Sequence, residues 1–250
     1  MKIRPYILLF LLSSLVISCS PSADKGLEQV NNLVNTGKVS DAVRLSTTLI
    51  GRYPDDPRFH YIRGFCYLSI RALSDAEADF ERCIKIDPKY SGGYKGMGSL
   101  SAIKGMYDAA EKNYRTAYEL ATTNDQKSSI MQNIGSMYSG EIKNQKKAIE
   151  FFNQSIQLND LGDWRFGLAL AYYRDNRKEE AVSIWMKSAG ENNFKNVYFK
   201  HATYYQLAAY YDEKKNYARA QEYIQKALAL DPHNSLYMKT SRDIIARLKK

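Results

Sequence analysis

The residues best suited to chemistry are a glycine-rich stretch, Ser91-Gly-Gly-Tyr-Lys-Gly-Met-Gly98, and three histidines. A phosphate-binding loop needs Gly-Lys-Ser/Thr after four spacer residues and a strand before it, and this stretch has neither. His60, His201 and His233 are far apart, with no thiol or carboxylate at ligand spacing, so no metal site is predicted. No Ser/His/Asp or Cys/His set is placed for nucleophilic catalysis. The sequence therefore predicts no enzymatic activity and no cofactor held by protein side chains.

An apolar stretch, Ile7 to Ile17, follows Lys2 and Arg4 at the start of the chain. A helix needs about 20 apolar residues to cross a bilayer, and this stretch is much shorter. A positive start followed by a short apolar run is typical of a signal peptide.

The apolar stretch ends in Val16-Ile17-Ser18-Cys19. This resembles the lipobox of bacterial lipoproteins, in which an aliphatic residue, a tolerated position and a small residue precede a cysteine. The resemblance implies that residues 1–18 are a cleaved lipoprotein signal peptide. It also implies that Cys19 carries diacylglycerol and an N-acyl chain of the palmitate type. Two or more acyl chains anchor a protein stably to a membrane.

Residues 19–23 would then be a short lipidated tether. At extended-chain length its reach is at most ~18 Å, which keeps the next segment close to the lipid surface. Ser20 stands where an aspartate would signal retention in the inner membrane of enteric bacteria. The resemblance therefore implies the outer membrane, with the protein facing the periplasm.

The whole chain has a formal net charge of +9, and removal of Lys2 and Arg4 with the signal peptide leaves 9 − 2 = +7. A basic excess of this size suits acidic proteins, anionic lipid or cell-wall polymers. Basic and acidic residues alternate, without a block of one sign. Nucleic acid is not an expected partner, because the cell envelope contains almost none.

The remaining chain is periodic. Ala42, Ala76 and Ala110 lie 34 residues apart, and Ala148, Ala181 and Ala220 continue the series at steps of 38, 33 and 39. Small residues precede these alanines in step, and they are Gly64, Gly98, Gly135, Ala169 and Ala208. Repeats with a period of 20 to 50 residues indicate solenoids or related arrays.

Within one unit, Arg63-Gly64 and Tyr67 share a helical face, and Ala76, Phe80 and Cys83 share a second one, because their steps are three or four residues. Asp87-Pro88 then ends the second helix. The pattern resembles the tetratricopeptide repeat, whose signature is Trp-x2-Leu-Gly-x2-Tyr, then Ala-x3-Phe, then Pro. The resemblance implies an all-α, right-handed α-solenoid.

We count six such units within residues 24–232, with residues 233–250 as a C-terminal capping helix. The units start near Ala23, Pro57, Ser91, Ser128, Gly162 and His201. The fourth unit is longer, and we place its extra residues in the inter-helix turn at 141–147. A longer joint at 190–200 separates the fifth and sixth units.

Two cysteines, Cys66 and Cys83, remain in the predicted repeats. In a helix pair turning near Ile70, they lie about four and twelve residues from the turn, which separates them by ~12 Å at a rise of 1.5 Å per residue. A disulfide tolerates Cα separations of only ~7 Å. Two free, buried thiols are predicted.

In solenoids of this family the first helices line a concave groove that binds partners. The packing stripe of a first helix is the row of residues that contacts its paired helix. Side chains off this stripe are candidate partner-binding residues, and they are Arg58, Tyr61, Phe65, Lys95, Phe166, Tyr173, Arg174 and Tyr205. Aromatic residues and arginine carry most binding energy at protein interfaces. Members that hold a chaperone's terminal carboxylate use a clamp of lysines, asparagines and arginine, and here only Asn31 fits it. Other residues occupy the remaining clamp positions, namely Leu27, Ile62, Gly92 and Gly96.

These features predict a membrane-anchored scaffold or adaptor that binds one or more cell-envelope proteins in its groove. Two alternatives stay open. The first is a ligand-handling or partner subunit of a periplasmic transport system, which requires a closed apolar pore or pocket. The second is a subunit of a pilus or secretin assembly system. The groove could hold a peptide, a folded protein or a small ligand.

Overall fold

The computed structural model describes residues 22–249, and these residues form thirteen α-helices and no strand. Twelve of the helices form six antiparallel pairs, and the thirteenth follows the last pair. They are α1 (Ala23–Asn35), α2 (Val39–Arg52), α3 (Pro57–Ser69), α4 (Leu73–Ile86), α5 (Ser91–Ile103), α6 (Tyr107–Leu120), α7 (Asn124–Gly140), α8 (Gln145–Leu158), α9 (Gly162–Arg174), α10 (Lys178–Glu191), α11 (Val197–Glu213), α12 (Tyr217–Leu230) and α13 (Ser235–Leu248). The predicted solenoid of six helix pairs and a final helix is confirmed. The predicted signal peptide and lipidation site, residues 1–18 and Cys19, lie outside the described residues.

The turn inside every pair contains one residue in the left-handed backbone region. Glycine takes this position in two turns, with φ of 73° at Gly37 and 75° at Gly105. The other four positions carry larger residues, namely Arg71, Lys143, Asn176 and Lys215. Each of the six lies five residues before one of the repeat alanines. The alanine period is therefore also the period of a tight backbone reversal that ends each first helix.

The small residue of each first helix lets the second helix approach. A Cβ added at Gly64 would lie 2.6 Å from the ring of Phe80, and one at Gly98 would lie 2.7 Å from the ring of Tyr114. Both rings are buried, with 0% and 2% of their surface exposed. Since real Cβ contacts are longer, an alanine at either glycine would push the pair apart.

First helices of successive pairs contact one another, as α3 does α5, α5 does α7, and α7 does α9. Each second helix contacts the first helix of the next pair. The first helices therefore share one face of the solenoid, which we call the inner face. At the far end α13 packs on α12 and buries Tyr237 and Ile244, so it covers the last pair.

The predicted insertion in the fourth unit lies only in part in the inter-helix turn, which has four residues here and three in each of the other pairs. Helix α7 starts at Asn124 rather than near Ser128, and the turn before α8 comprises only residues 141–144. Thr123 accepts a hydrogen bond from the backbone N–H of Gln126, whose side chain accepts one from Thr123 in return. This capping box starts the helix early. In the same way α11 starts at Val197, which shortens the predicted long joint to residues 192–196.

Cys66 and Cys83 are buried and free, as predicted. Burial raises the pKa of both thiols, that of Cys83 to about 12. Within residues 22–249 there is no group of three or more histidine, cysteine, aspartate or glutamate side chains that could hold a metal ion. None of the helices in this range is long and apolar enough to cross a membrane.

Candidate partner-binding groove

Two aromatic side chains and a lysine form a cluster on the inner face. The rings of Tyr61 and Phe65, one turn apart on α3, have centroids 4.9 Å apart. From α5, Lys95 places its Nζ 5.3 Å from the Tyr61 centroid and 5.6 Å from the Phe65 centroid. The same Nζ donates a hydrogen bond to Ser129 Oγ on α7 at 3.0 Å. Burial lowers the pKa of Lys95 to about 8, so the amine is still mostly a cation at neutral pH.

Beside this cluster is a cleft of about 140 Å³, which we call the Lys95 cleft. Tyr90 closes one side of it, with its ring centroid 5.8 Å from that of Tyr61. The close approach of Tyr90 requires a glycine at position 92, where a Cβ would lie 2.5 Å from the Tyr90 ring. Burial raises the pKa of both tyrosines, so their hydroxyls remain protonated.

A second cleft of about 380 Å³, the Arg174 cleft, lies between α7, α9 and α11. Phe166 and Phe199 line it, with ring centroids 5.6 Å apart. Arg174 donates from its guanidinium to Ser139 Oγ at 2.9 Å. Asp163 also lines the cleft; burial raises its pKa, and its two oxygens accept backbone N–H groups of residues 195 and 196 at 3.1 Å.

A third cleft of about 230 Å³, the middle cleft, lies between these two. It shares Asn133 and Ser136 with the Arg174 cleft, and its wall includes Phe65 of the aromatic cluster. Asn133 donates to Ser99 Oγ at 3.2 Å across its floor. The three clefts together form one trough on the inner face, which we call the inner groove.

Five of the eight sequence-predicted residues lie in the inner groove, and they are Tyr61, Phe65, Lys95, Phe166 and Arg174.

The other three are engaged in contacts within the chain. Arg58 pairs with Asp56 and with Asp24, each at 2.7 Å. Tyr173 packs on Trp185 of α10, with ring centroids 5.8 Å apart.

Tyr205 lies at the end of the solenoid, where its ring stacks on Tyr237 of α13 at 5.0 Å.

Sequence reasoning missed the polar side chains of the inner groove. The hydrogen bonds of Lys95 to Ser129 and of Asn133 to Ser99 each join residues 34 positions apart, and that of Arg174 to Ser139 joins residues 35 apart. Residues one repeat length apart on neighbouring first helices therefore face each other. This spacing was readable from the sequence, and it would have identified the hydroxyl partners of both cations.

Comparison with known families supports the repeat assignment. Models described as "Tetratricopeptide repeat" match residues 27–91, 128–160 and 201–234. Part of the chain is 34% identical over 96 residues to Hsp70-Hsp90 organizing protein 2 of Arabidopsis thaliana. It is also 34% identical over 107 residues to heat shock protein STI1 of Saccharomyces cerevisiae. These stretches are 38% and 42% of this chain but only 17% and 18% of the two relatives.

Solved structures share the architecture at low sequence identity. The APC/C hetero-tetramer Cut9-Hcn1 matches with a TM-score of 0.69 at 20% identity, over 94% of this chain and 45% of that one. A thermophilic TPR protein of Thermus thermophilus matches with a TM-score of 0.63 at 20% identity, over 74% of this chain and 99% of that one. PilF of Pseudomonas aeruginosa matches with a TM-score of 0.55 at 14% identity, over 88% of this chain and 97% of that one. With the family matches and the six helix pairs, these likenesses show that the chain is built from tetratricopeptide repeats.

Proposed function

We propose that this chain is a lipid-anchored adaptor of the bacterial cell envelope that binds a partner protein in its inner groove and catalyses no reaction. One observation carries the proposal. The inner groove is lined by the rings of Tyr61, Phe65 and Phe166 and by two cations, one on α5 and one on α9. Aromatic residues and arginine are enriched at protein interfaces and carry most of their binding energy.

The membrane anchor is the second part of the proposal, and Cys19 and its lipobox support it. Helix α1 starts at Ala23, so only residues 20–22 lie between the proposed lipid and the first repeat. A tether this short would hold the first pair close to the outer membrane. The later repeats would extend away from the anchor and present the inner groove to envelope proteins.

The name of the Arabidopsis relative associates that protein with Hsp70 and Hsp90, and we do not extend that association to this chain. Of the positions that form the chaperone clamp, Ile62, Gly92 and Gly96 are buried here and carry no cation. The cations of the inner groove, Lys95 and Arg174, stand elsewhere. A different partner segment is therefore proposed.

Alanine substitution in the inner groove tests the adaptor function. After crosslinking in intact cells, the wild-type chain should co-purify with one or more envelope proteins. The double variant Tyr61→Ala, Phe166→Ala should lose them while keeping its helical circular-dichroism spectrum. Met106→Ala, at a 53% exposed residue between α5 and α6, is the matched control and should keep them. Equal capture by all three proteins would contradict the proposal.

Metabolic labelling with a palmitate analogue tests the anchor. The wild-type chain should carry the label and fractionate with outer membranes, and Cys19→Ser should lose the label and leave the membrane fraction. A wild-type chain without label in the soluble fraction would contradict the anchor and leave the groove function standing.

A further inference from the structure

We infer that the edge of the solenoid formed by the six turns inside the helix pairs binds a carboxylate-bearing polysaccharide strand of the cell envelope. We call it the turn edge, and it comprises residues 36–38, 70–72, 104–106, 141–144, 175–177 and 214–216. None of its cations lines a cleft of the inner groove, so this surface goes beyond the adaptor function.

The fold brings the six turns to one edge. Successive first helices contact one another, and short connections join each pair to the next helix. The first helices therefore run parallel, and all six of them end at the same edge. The connections lie at the opposite edge, which we call the loop edge, and they are residues 53–56, 87–90, 121–123, 159–161, 192–196 and 231–234. A helix of 13 or 14 residues separates the two edges by ~20 Å.

The two edges carry opposite net charges. The turns contain seven lysine or arginine residues and two carboxylates, which gives a formal net charge of +5. The connections of the loop edge contain two lysines and five aspartates, which gives −3. Acids such as Asp75 and Asp108 start the neighbouring second helices, yet the turn edge still has +3 when three residues on either side of each turn are included. The fold thus separates charges that alternate along the sequence.

Every turn places a cation at its left-handed residue or directly beside it. Arg71, Lys143 and Lys215 occupy that position themselves, although glycine adopts it at lower cost. In the other three turns the neighbouring residue is the cation, and these cations are Lys38, Lys104 and Arg177. Since packed helices lie about 8 to 10 Å apart, the six turns form a row of positive charges roughly 40 to 50 Å long.

Four cations of this row are available to an external anion. The other three pair with glutamates of second helices, and they are Lys104, Arg177 and Lys214. The four available cations are exposed and form no ion pair within residues 22–249, and they are Lys38, Arg71, Lys143 and Lys215. A ligand of the turn edge therefore carries several anions along its length.

Apolar side chains stand between these cations. Ile70 and Met106 are 57% and 53% exposed in their turns, and Ile142 is 36% exposed. The ligand must therefore offer apolar surface beside its anions. The rings of an acidic polysaccharide present C–H groups next to carboxylates and meet both conditions.

Two other acidic surfaces fit the turn edge less well. A stable protein interface buries about 1,200 to 2,000 Å² in a continuous patch, whereas the turns are narrow and separate. A membrane is disfavoured because α1 starts at the loop edge, so the lipid on Cys19 would lie on the far side of the solenoid. This step rests on the proposed anchor, which would make the turn edge face away from the outer membrane.

Binding of labelled polygalacturonate, a linear uronic-acid polymer, to the purified Cys19→Ser chain tests the inference without an acyl chain. The chain should bind polygalacturonate and leave neutral dextran unbound. A variant with Lys38→Gln, Arg71→Gln, Lys143→Gln and Lys215→Gln should bind at least about tenfold more weakly, because each cation near an anionic surface contributes a factor of about five.

The matched control removes the same number and kinds of exposed cations from the loop edge. It carries Lys25→Gln, Arg52→Gln, Lys85→Gln and Lys89→Gln, and these residues form no ion pair in the described part of the chain. Its affinity should stay within about twofold of the unsubstituted chain, because the edges are ~20 Å apart and the Debye length is about 8 Å. Circular dichroism and thermal melting establish that both variants fold.

A third variant tests the contact with sugar rings. Ile70→Ser with Ile142→Ser should weaken binding of polygalacturonate about threefold, since burial of one methylene group changes affinity by roughly this factor. Unchanged affinity would overturn the polysaccharide as the ligand class.

Other results would also overturn the inference. They are equal losses in the turn-edge and loop-edge variants, equal binding of dextran, and no binding of polygalacturonate. Binding to phosphatidylglycerol vesicles through the turn cations, without binding to polygalacturonate, would assign the edge to a membrane instead. None of these results bears on the crosslinking and labelling tests, so failure of the adaptor function or of the anchor would be recognised separately.

Discussion

Cations have different partners in the contacts between packed helices, which we call seams, and in the inner groove. In the seam between α3 and α4, Asp79 is 3% exposed and accepts hydrogen bonds from Arg63 and His60, each at 2.8 Å. In the inner groove, Lys95 and Arg174 form no ion pair among the described residues. Each donates a hydrogen bond to a serine hydroxyl, and Lys95 also lies over the rings of Tyr61 and Phe65. The seam charges hold the pair together, whereas the groove charges lack a counter-ion that a ligand could provide. The comparison predicts that removing a charge will have opposite effects on stability in the two regions.

The largest effect is expected in the seam. Asp79→Ala would leave Arg63 and His60 without their carboxylate, and breaking a buried pair in this way costs about 3 to 5 kcal/mol. Chemical denaturation measures the loss in the free energy of unfolding. Glu81→Ala, at an exposed residue on the same helix, is the control and should change it by about 0.5 kcal/mol or less. Equal losses in the two variants would contradict the role given to the seam.

The seam should also weaken in acid. Burial alone would raise the pKa of Asp79, but the hydrogen bonds from Arg63 and His60 outweigh it and lower this pKa below its usual 3.8. A depressed carboxyl pKa contributes stability that is complete above the unfolded pKa and is lost as the pH falls toward the folded one. The stability difference between wild type and Asp79→Ala should therefore narrow below about pH 4. A difference that stays constant from pH 6 to pH 3 would refute the pairing.

A smaller effect of opposite sign is expected in the inner groove. Since burial lowers the pKa of Lys95 to about 8, from an ordinary 10.5, its charge destabilises the folded chain at neutral pH. Lys95→Met should raise the free energy of unfolding at pH 7 by on the order of 1 kcal/mol, after the lost ring and hydroxyl contacts are deducted. Between pH 8 and 10.5 the folded state binds fewer protons than the unfolded state, so the stability of the wild-type chain should rise with pH in this range. The stability difference between Lys95→Met and the wild type should therefore shrink.

Thermal melting of Lys95→Met and Lys146→Met, from pH 7 to pH 10, makes this measurement. The control lysine is exposed, and its substitution should have little effect at any pH in the range. Destabilisation by Lys95→Met at pH 7 would mean that the lysine supports the fold, and the distinction between seam and groove would fail.

The smallest effect is expected for an ion pair at the surface of a seam. Lys104 and Glu77 lie 2.8 Å apart, but their side chains are 31% and 39% exposed. Solvent screens such pairs, which contribute about 0 to 1 kcal/mol. Lys104→Met should therefore destabilise the chain far less than Asp79→Ala does, as measured by the same denaturation. A comparable loss would show that pairing alone, rather than burial, sets the energy of the seams.

The fold could be predicted because its rules are local and repeated. The period of the alanines fixes the turns, and the small residue in each first helix fixes where the aromatic ring of the second packs, as Gly64 does for Phe80. The start of α7 could not be read from that period, because Thr123 caps the helix one turn earlier than the repeat pattern indicates.

The candidate site was predicted only in part. The pattern identifies side chains off the packing stripe, and this brought Tyr61, Lys95 and Phe166 to the inner groove. It cannot show which cations find a carboxylate, because that depends on side-chain rotamers and on residues outside the stripe. Arg58 was expected to bind a partner in the groove, yet its guanidinium forms an ion pair with Asp56, the residue that caps α3.

Photocrosslinking in intact cells tests directly whether the inner groove binds the partner. A benzoylphenylalanine replacing Phe166 would sit in the Arg174 cleft, and one replacing Met106 would sit outside the inner groove. We expect a discrete crosslink to an envelope protein from position 166, none from position 106, and loss of the first when Lys95→Met is added at the other end of the groove. A crosslink from position 106 alone, or one from position 166 that Lys95→Met leaves unchanged, would contradict it.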